Sequence, residues 1–299
     1  MPDVRLPVVQ PRDLGKPPIF EKIAIVGLGL IGGSIALAAR QIWPAGLVIA
    51  VDSKDVLEQA MVRHAIDVAA DEPYVIAEAD LVVLAAPVRQ NLQLLSEIEE
   101  HVEKAAIVTD VGSTKRAMVE AARALPSRFT FVGGHPLGGA ARGGFEAARP
   151  ELFKGRPWIF TPHTDASGDA LAKLFAFASG LGAVPTTMSA DEHDRVLAFL
   201  SHLPQLTATA LMGAIGGEAG ESLSLAGRGL VDTTRLAASP AGIWQDITAT
   251  NADRIRPALD ALIARLADLR DHLDDADAVE RLFEEANRWR EKLMEGREL

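Results

Sequence analysis

Cysteine is absent from all 299 residues, which removes disulfides, thiolate metal sites and a thiol nucleophile from consideration. This is compatible with a cytoplasmic setting. Long apolar runs are missing too. The longest, Ile23 to Ala39, is broken by Gly27, Gly29, Gly32 and Gly33, and a membrane span needs roughly 18 uninterrupted residues. Nor is there a basic surplus. Thirty Lys and Arg stand against 41 Asp and Glu, a formal charge of -11, which argues against a general nucleic-acid binder. Much of the acid lies in the C-terminal stretch DHLDDADAVERLFEEANRWREK, so a local basic pocket for a small anion stays open. No His/Asp/Glu cluster has metal-ligand spacing, and no metal is expected. The first twenty residues hold five prolines and no apolar signal core, so residues 1–20 read as a flexible extension.

What remains is ordinary globular composition with a change of pattern along it. Lys22 to Gly27, Leu47 to Asp52, Ala79 to Pro87, Ala106 to Asp110, Phe129 to Gly133 and Trp158 to Thr161 are short apolar runs, rich in β-branched residues. Such runs suit buried parallel strands. Helical stretches separate most of them, which predicts an α/β domain: a Rossmann-type doubly wound parallel sheet over residues 21–165. From 166 to 299 the spacing is helical, with segments expected over 170–181, 191–215, 253–273 and 276–293. Leu259, Leu262, Ile263, Leu266 and Leu269 share one face of the third.

Gly27, Gly29 and Gly32 form G-x-G-x-x-G directly after the first strand and at the opening of a helix. Here the first glycine permits a tight turn, the second lets backbone approach a pyrophosphate, and the third allows close helix–strand packing. Asp52 follows twenty residues after Gly32, at the end of the second strand. A carboxylate there accepts hydrogen bonds from ribose hydroxyls and repels a 2′-phosphate, which favours NAD over NADP. Leu30 and Ile31 within the turn, and Pro87 and Asp110 at strand ends, complete the expected cofactor site. DVGSTK (110–115) and GGHPLGG (133–139) also follow strands, at the edge where open α/β sheets bind ligands. They deliver Ser113 and His135. On pattern alone Ser113 could be a helix N-cap, and His135 a surface loop residue. His193, within DEHD, reads as part of a solvated helix start.

GLGLIGGS, DVGSTK, GGHPLGG, DEHDRVLAFLSHLPQ and VDTTRLAASPAGIWQDI together resemble the prephenate/arogenate (cyclohexadienyl) dehydrogenase family of tyrosine biosynthesis, over roughly residues 20 to 290. The resemblance implies an NAD-dependent oxidative decarboxylation. Hydride leaves C4 of a cyclohexadiene, the para carboxylate leaves as carbon dioxide, and the ring becomes aromatic. His135 would accept the hydrogen bond or proton of the 4-hydroxyl, for which imidazole has a suitable pKa, and Ser113 would orient that hydroxyl. Arg235 would grip a substrate carboxylate, His202 would contact the far end of the substrate, and Trp244 would wall the pocket. By pattern, Arg235 could equally pair with Asp232, and His202 could be a core histidine. The resemblance further implies a homodimer through the helical domain. The sequence ends at Leu299 without room for a separate amino-acid-binding domain, so tyrosine feedback, if present, is expected to act in the active site. Members often carry a hydroxyl soon after the HP turn, where this chain has Ala140, with Arg142 nearby. Two other readings are a β-hydroxyacid dehydrogenase, disfavoured because 188–229 lacks lysine, and a non-catalytic nucleotide sensor. Prephenate and arogenate are not distinguished.

Overall fold

Alternation along single strands sets the layers. In β1 (Lys22–Val26), Ile23 and Ile25 join one buried cluster, while Ala24 and Val26 join another on the opposite face. The same split runs through β2 (Leu47–Val51) and β4 (Leu81–Leu84), so the sheet is covered on both sides. The computed structural model describes residues 16–139, 142–163 and 168–295. Its other strands are β3 (Val68–Ala70), β5 (Ala106–Asp110), β6 (Phe129–Pro136), β7 (Pro157–Pro162) and β8 (Val184–Thr187). They form one eight-stranded sheet in the order β3-β2-β1-β4-β5-β6-β7-β8. Helices α1 (Leu30–Ile42), α2 (Lys54–Val62), α3 (Val88–His101), α4 (Arg116–Ala121) and α5 (Gly168–Gly180) accompany it. The order reverses between β1 and β4, and that switch point lies beside the glycine turn.

The doubly wound α/β fold is present, with three departures from the sequence reading. First, β7 runs antiparallel to β6. Among the described residues the intervening chain makes two 3-10 turns, Phe145–Ala147 and Pro150–Phe153, and packs Phe145 and Ala148 on Gly33 of α1. It supplies no helical crossover of the kind that usually joins parallel neighbours. Second, β3 and β8 are additional strands. The first has three residues, and the second carries Pro185 on a largely exposed sheet edge, so neither has a strand's usual signature. Third, residues 168–187 pack with the sheet although the sequence placed a boundary at 165. Leu174, Phe177 and Ala178 of α5 lie in the same cluster as Ile23 and Ile25, and β8 pairs with β7. Phe20, assigned to the extension, is also in this cluster, edge-on to Phe177. Residues 1–15 lie outside the described residues.

Beyond β8 come α6 (Ala190–Leu197), α7 (Leu203–Ala219), α8 (Arg228–Thr234), α9 (Ala241–Thr250), α10 (Ala252–Asp271) and α11 (Ala276–Met294). A single π turn, Ala198–His202, joins α6 to α7. The helical run Ala190–Leu225 is long and apolar enough to cross a membrane by length and composition, which the broken runs of the sequence did not suggest. The buried core of these helices is small, built on Ala198, Ile247, Ile255 and Ala258.

Candidate active site

The glycine turn is shaped for close approach. Gly27 has φ +98, and a Cβ there would meet the Ala85 carbonyl carbon at 2.7 Å. At Gly32 a Cβ would sit 2.0 Å from the Gly27 oxygen, so helix and turn touch. Around Gly29 the space is open, with nothing within 4 Å. Helix α1 starts there without a side-chain cap or an acidic residue in its first turn, leaving amides free for an anion. Leu30 and Ile31 form that turn, half-buried. Asp52 ties the turn to β2: its carboxylate accepts from the amides of Leu28 and Ser53, both at 2.6 Å. Pro87 is exposed at the start of α3. These residues fit a dinucleotide. Asp110 is placed differently. It is fully buried, ion-paired with Lys115, and accepts from Gly112 N (2.8 Å) and Gly134 N (3.2 Å). Its side chain organises the loop from inside.

His135 is a strand residue rather than a loop residue, paired with Ile159 of β7 in register. The glycines before it mark tight packing. A Cβ at Gly133 would meet Thr161 Oγ1 at 2.5 Å, and one at Gly134 the Asp110 carbonyl oxygen at 2.7 Å. The buried Lys115 ammonium also donates to Gly134 O (2.8 Å). Burial lowers the Lys115 pKa despite Asp110 beside it. By contrast, space around Gly139 is open.

His135 Nδ1 lies 2.8 Å from His193 Nε2, and His193 Nδ1 lies 2.8 Å from Asp194 Oδ1. An ionised carboxylate only accepts, so His193 carries its proton on Nδ1 and presents a bare Nε2. That atom accepts from His135 Nδ1–H, which leaves His135 Nε2 as a lone pair. Burial, reinforced by the neighbouring His193, Lys115 and His202, holds the His135 pKa well below the ordinary histidine value. Burial likewise lowers His193. For Asp194, burial opposes ionisation, but hydrogen bonds from His193 and the Arg116 and Lys115 amides still hold its pKa below the usual carboxylate value.

His193 and Asp194 are buried, contrary to the solvated helix start read from DEHD. Their missed signal was position: Leu197 and Ala198, both buried, stand four residues on and share their face. Asp194 also corrects the expected cap. Helix α4 begins at Arg116 with no cap of its own. Instead Asp194 accepts from Lys115 N (2.8 Å), Arg116 N (3.0 Å) and Arg116 Nε (3.2 Å). The Ser113 hydroxyl is half-buried and makes no hydrogen bond among the described residues.

His202 ends the π turn, 1% exposed, with its ring edge-on to the half-buried Trp244 at 6.1 Å. Burial pushes its pKa down to about 4. Its Nδ1 faces Asn251 Nδ2 at 3.3 Å, and its buried Nε2 has no partner among the described residues. Asn251 Nδ2 donates to Asp194 O (2.8 Å), and Arg116 Nη2 donates to Asn251 Oδ1 (3.0 Å). One polar network thus joins His135 to His202. Arg235 stands outside it, exposed and unpaired among the described residues, because Asp232 pairs with Arg228 at 3.5 Å. Arg142 is exposed, and Ala140 lies outside the described residues.

Residues 35–186 match the family model for the prephenate dehydrogenase nucleotide-binding domain, and residues 189–287 match that for the dimerization domain. The chain belongs to the prephenate dehydrogenase family. It is 35% identical over 286 residues to prephenate dehydrogenase of Bacillus subtilis, covering 91% of this chain and 76% of that one. Cyclohexadienyl dehydrogenase of Zymomonas mobilis is 34% identical, with 91% and 96% covered. Among solved structures, Synechocystis arogenate dehydrogenase superposes with TM-score 0.78 at 30% identity, covering 91% and 99%. Prephenate dehydrogenase from A. aeolicus, in complex with hydroxyphenyl propionate and NAD+, gives 0.83 at 28% identity, covering 92% and 98%. A 3-hydroxyisobutyrate dehydrogenase of Mycobacterium tuberculosis, at 14% identity and TM-score 0.52, shares the fold alone. The two family models meet between residues 186 and 189, where β8 ends. In the part matched by the dimerization-domain model, Leu225, Ile263, Leu266 and Phe283 are exposed, as is Trp289 just beyond it.

Proposed function

We propose that the chain is an NAD-dependent dehydrogenase that oxidatively decarboxylates prephenate, arogenate or both, giving 4-hydroxyphenylpyruvate or tyrosine. The observation that carries this reading is the bare Nε2 of His135, held by the His193–Asp194 chain. That nitrogen accepts the hydrogen bond of the substrate 4-hydroxyl, drawing density onto O4 as the C4 hydrogen departs. NAD, when bound, accepts that hydrogen as hydride. Loss of the ring carboxylate as carbon dioxide leaves its bonding electrons in the ring, which becomes aromatic, and His135 leaves the proton with the phenol oxygen. Ser113, whose hydroxyl makes no hydrogen bond among the described residues, orients the 4-hydroxyl. Arg235, unpaired among the described residues, binds a substrate carboxylate, and Trp244 walls the site.

For the cofactor, Gly27, Gly29, Gly32, Leu30, Ile31 and Pro87 form the cradle. Asp52 supports NAD over NADP, because a 2′-phosphate would meet its charge. The working unit is a cytoplasmic homodimer joined through the helices of 189–287, with no role for a membrane or nucleic acid. The division lies at 187–190, with 21–187 holding the nucleotide and the helices completing the site. NADH production with prephenate and with arogenate, using NAD and NADP in parallel, tests the reading. His135→Asn should lower kcat by about 10²- to 10⁴-fold while NAD affinity survives. A near-normal kcat in that variant, or no turnover of either substrate by the wild type, overturns it.

A further inference from the structure

We infer that Asn251 is a positioning residue that fixes His202 as its Nε2–H tautomer, making the one unpartnered ring nitrogen a hydrogen-bond donor for a substrate carboxylate. The inference deepens the function proposed above and rests on it for the nature of the substrate. Asn251 is 0% exposed, and its amide orientation follows from its neighbours. A guanidinium has donors only, so the atom facing Arg116 Nη2 at 3.0 Å is the oxygen. The opposite atom faces the Asp194 backbone oxygen at 2.8 Å, an acceptor only, and is therefore the nitrogen. Two independent partners impose the same orientation.

The second N–H of that nitrogen faces His202 Nδ1 at 3.3 Å. Nδ1 therefore accepts, and in a neutral imidazole the single proton sits on Nε2. Among the described residues no carboxylate hydrogen-bonds the ring, and burial keeps it neutral down to about 4. Nε2–H is then a buried donor without a partner among them. Such a group is costly unless a ligand acceptor takes it. A carboxylate oxygen suits it, whereas a hydroxyl already committed as donor elsewhere does not. His135 carries the opposite tautomer, with a bare Nε2. The two rings present opposite polarity to one molecule, so the substrate is read in one direction: hydroxyl to His135, acid to His202.

The test is a two-bond 1H–15N spectrum of the NAD-loaded enzyme labelled with 15N-histidine, at neutral pH, with His202 assigned through His202→Gln. The expected result is His202 protonated on Nε2 and bare on Nδ1, with His135 reversed. In Asn251→Leu the His202 signals should move toward tautomer averaging. The KM for the cyclohexadienyl substrate should rise about tenfold, with kcat within about threefold and the KM for NAD unchanged. A wild-type His202 protonated on Nδ1 overturns the inference, as does an Asn251→Leu enzyme with wild-type tautomer and KM. If Asn251→Leu does not fold, the wild-type spectrum decides alone. The expected tautomer with an unchanged KM in His202→Leu, which removes the donor, overturns the donor's target, and with it the substrate contact of the proposed function. A wrong tautomer with a raised KM in His202→Gln overturns the Asn251 role alone.

Discussion

His202 ties stability to pH through one ring. Its folded pKa of about 4 lies below the ordinary 6.5, so between these values the unfolded chain binds the proton and the folded one does not. The contribution is fully present above pH 6.5 and is lost as pH falls toward 4, about 3 kcal/mol at most. Thermal melts should therefore show a Tm that falls between pH 6.5 and 4, with a shallower fall in His202→Gln. Equal slopes in the two proteins would contradict the burial argument. Asp52 supports a second residue-level prediction, because it holds Leu28 N and stands at the strand end where the proposed NAD site would place a ribose. Asp52→Ala should lower kcat/KM for NAD by about 2 kcal/mol, roughly thirtyfold, and relax the preference over NADP, read by steady-state kinetics with both cofactors. An unchanged NAD/NADP ratio removes Asp52 from cofactor selection. His135 and Asp52 were readable as candidates because motif and strand end coincide, whereas spacing alone gives His202 as a core histidine and only the family resemblance marks it as a site residue. His193, Asp194, Lys115 and Asn251 were not, because each is a polar residue in a polar segment. What buries them is partners 57 or more residues away, or, for Lys115, the strand that follows.

Between α6 and α7 the π turn decides where His202 falls. Leu203 N bonds Ala198 O, five residues back, and Pro204 has no N–H to claim the oxygen that an α-helical pattern would assign it. One residue is thereby inserted into the helical register. Deleting Leu200, which is 74% exposed, should restore α spacing and turn His202 away from Asn251. We expect kcat/KM to fall by more than about 100-fold, with far-UV circular dichroism and NAD binding preserved. Near-normal kcat/KM would show that the turn has no part in placing the ring. At this scale the sequence reading found β1, β2, β4, β5 and the long helices, whose periodicity is local. It joined α6 and α7 into one helix, since a π turn changes spacing by a single residue. It missed the reversal at β7, since strand direction depends on what the connecting chain packs against, here α1.

Across the molecule, the two halves differ in how well they close themselves. Both faces of the sheet are covered, while α11 has no buried residue and its Phe283, Trp289 and Leu293 are exposed. Phe283 lies within 189–287, the span that matches the family's dimerization domain. A stable pairing buries at least about 1,000 Å² in total, so a central charge should be disruptive. Phe283→Glu is expected to shift sedimentation from dimer toward monomer and make the Tm concentration-independent. A dimer that persists in that variant would move the interface to another face. The amphipathic spacing of these helices was readable from sequence, but whether their apolar faces meet within one copy or between two was not.

The interdomain network has a consequence in time. Arg116 reaches Asp253 across 137 residues of chain, and Asn251 lies within the same hub. During synthesis the N-terminal unit forms first. A growing chain that ends at β8 can complete the sheet and its glycine turn while His135 still lacks His193, its ring partner. Nucleotide affinity therefore precedes chemistry on the ribosome, and turnover is withheld until the last third of the polypeptide has emerged and docked.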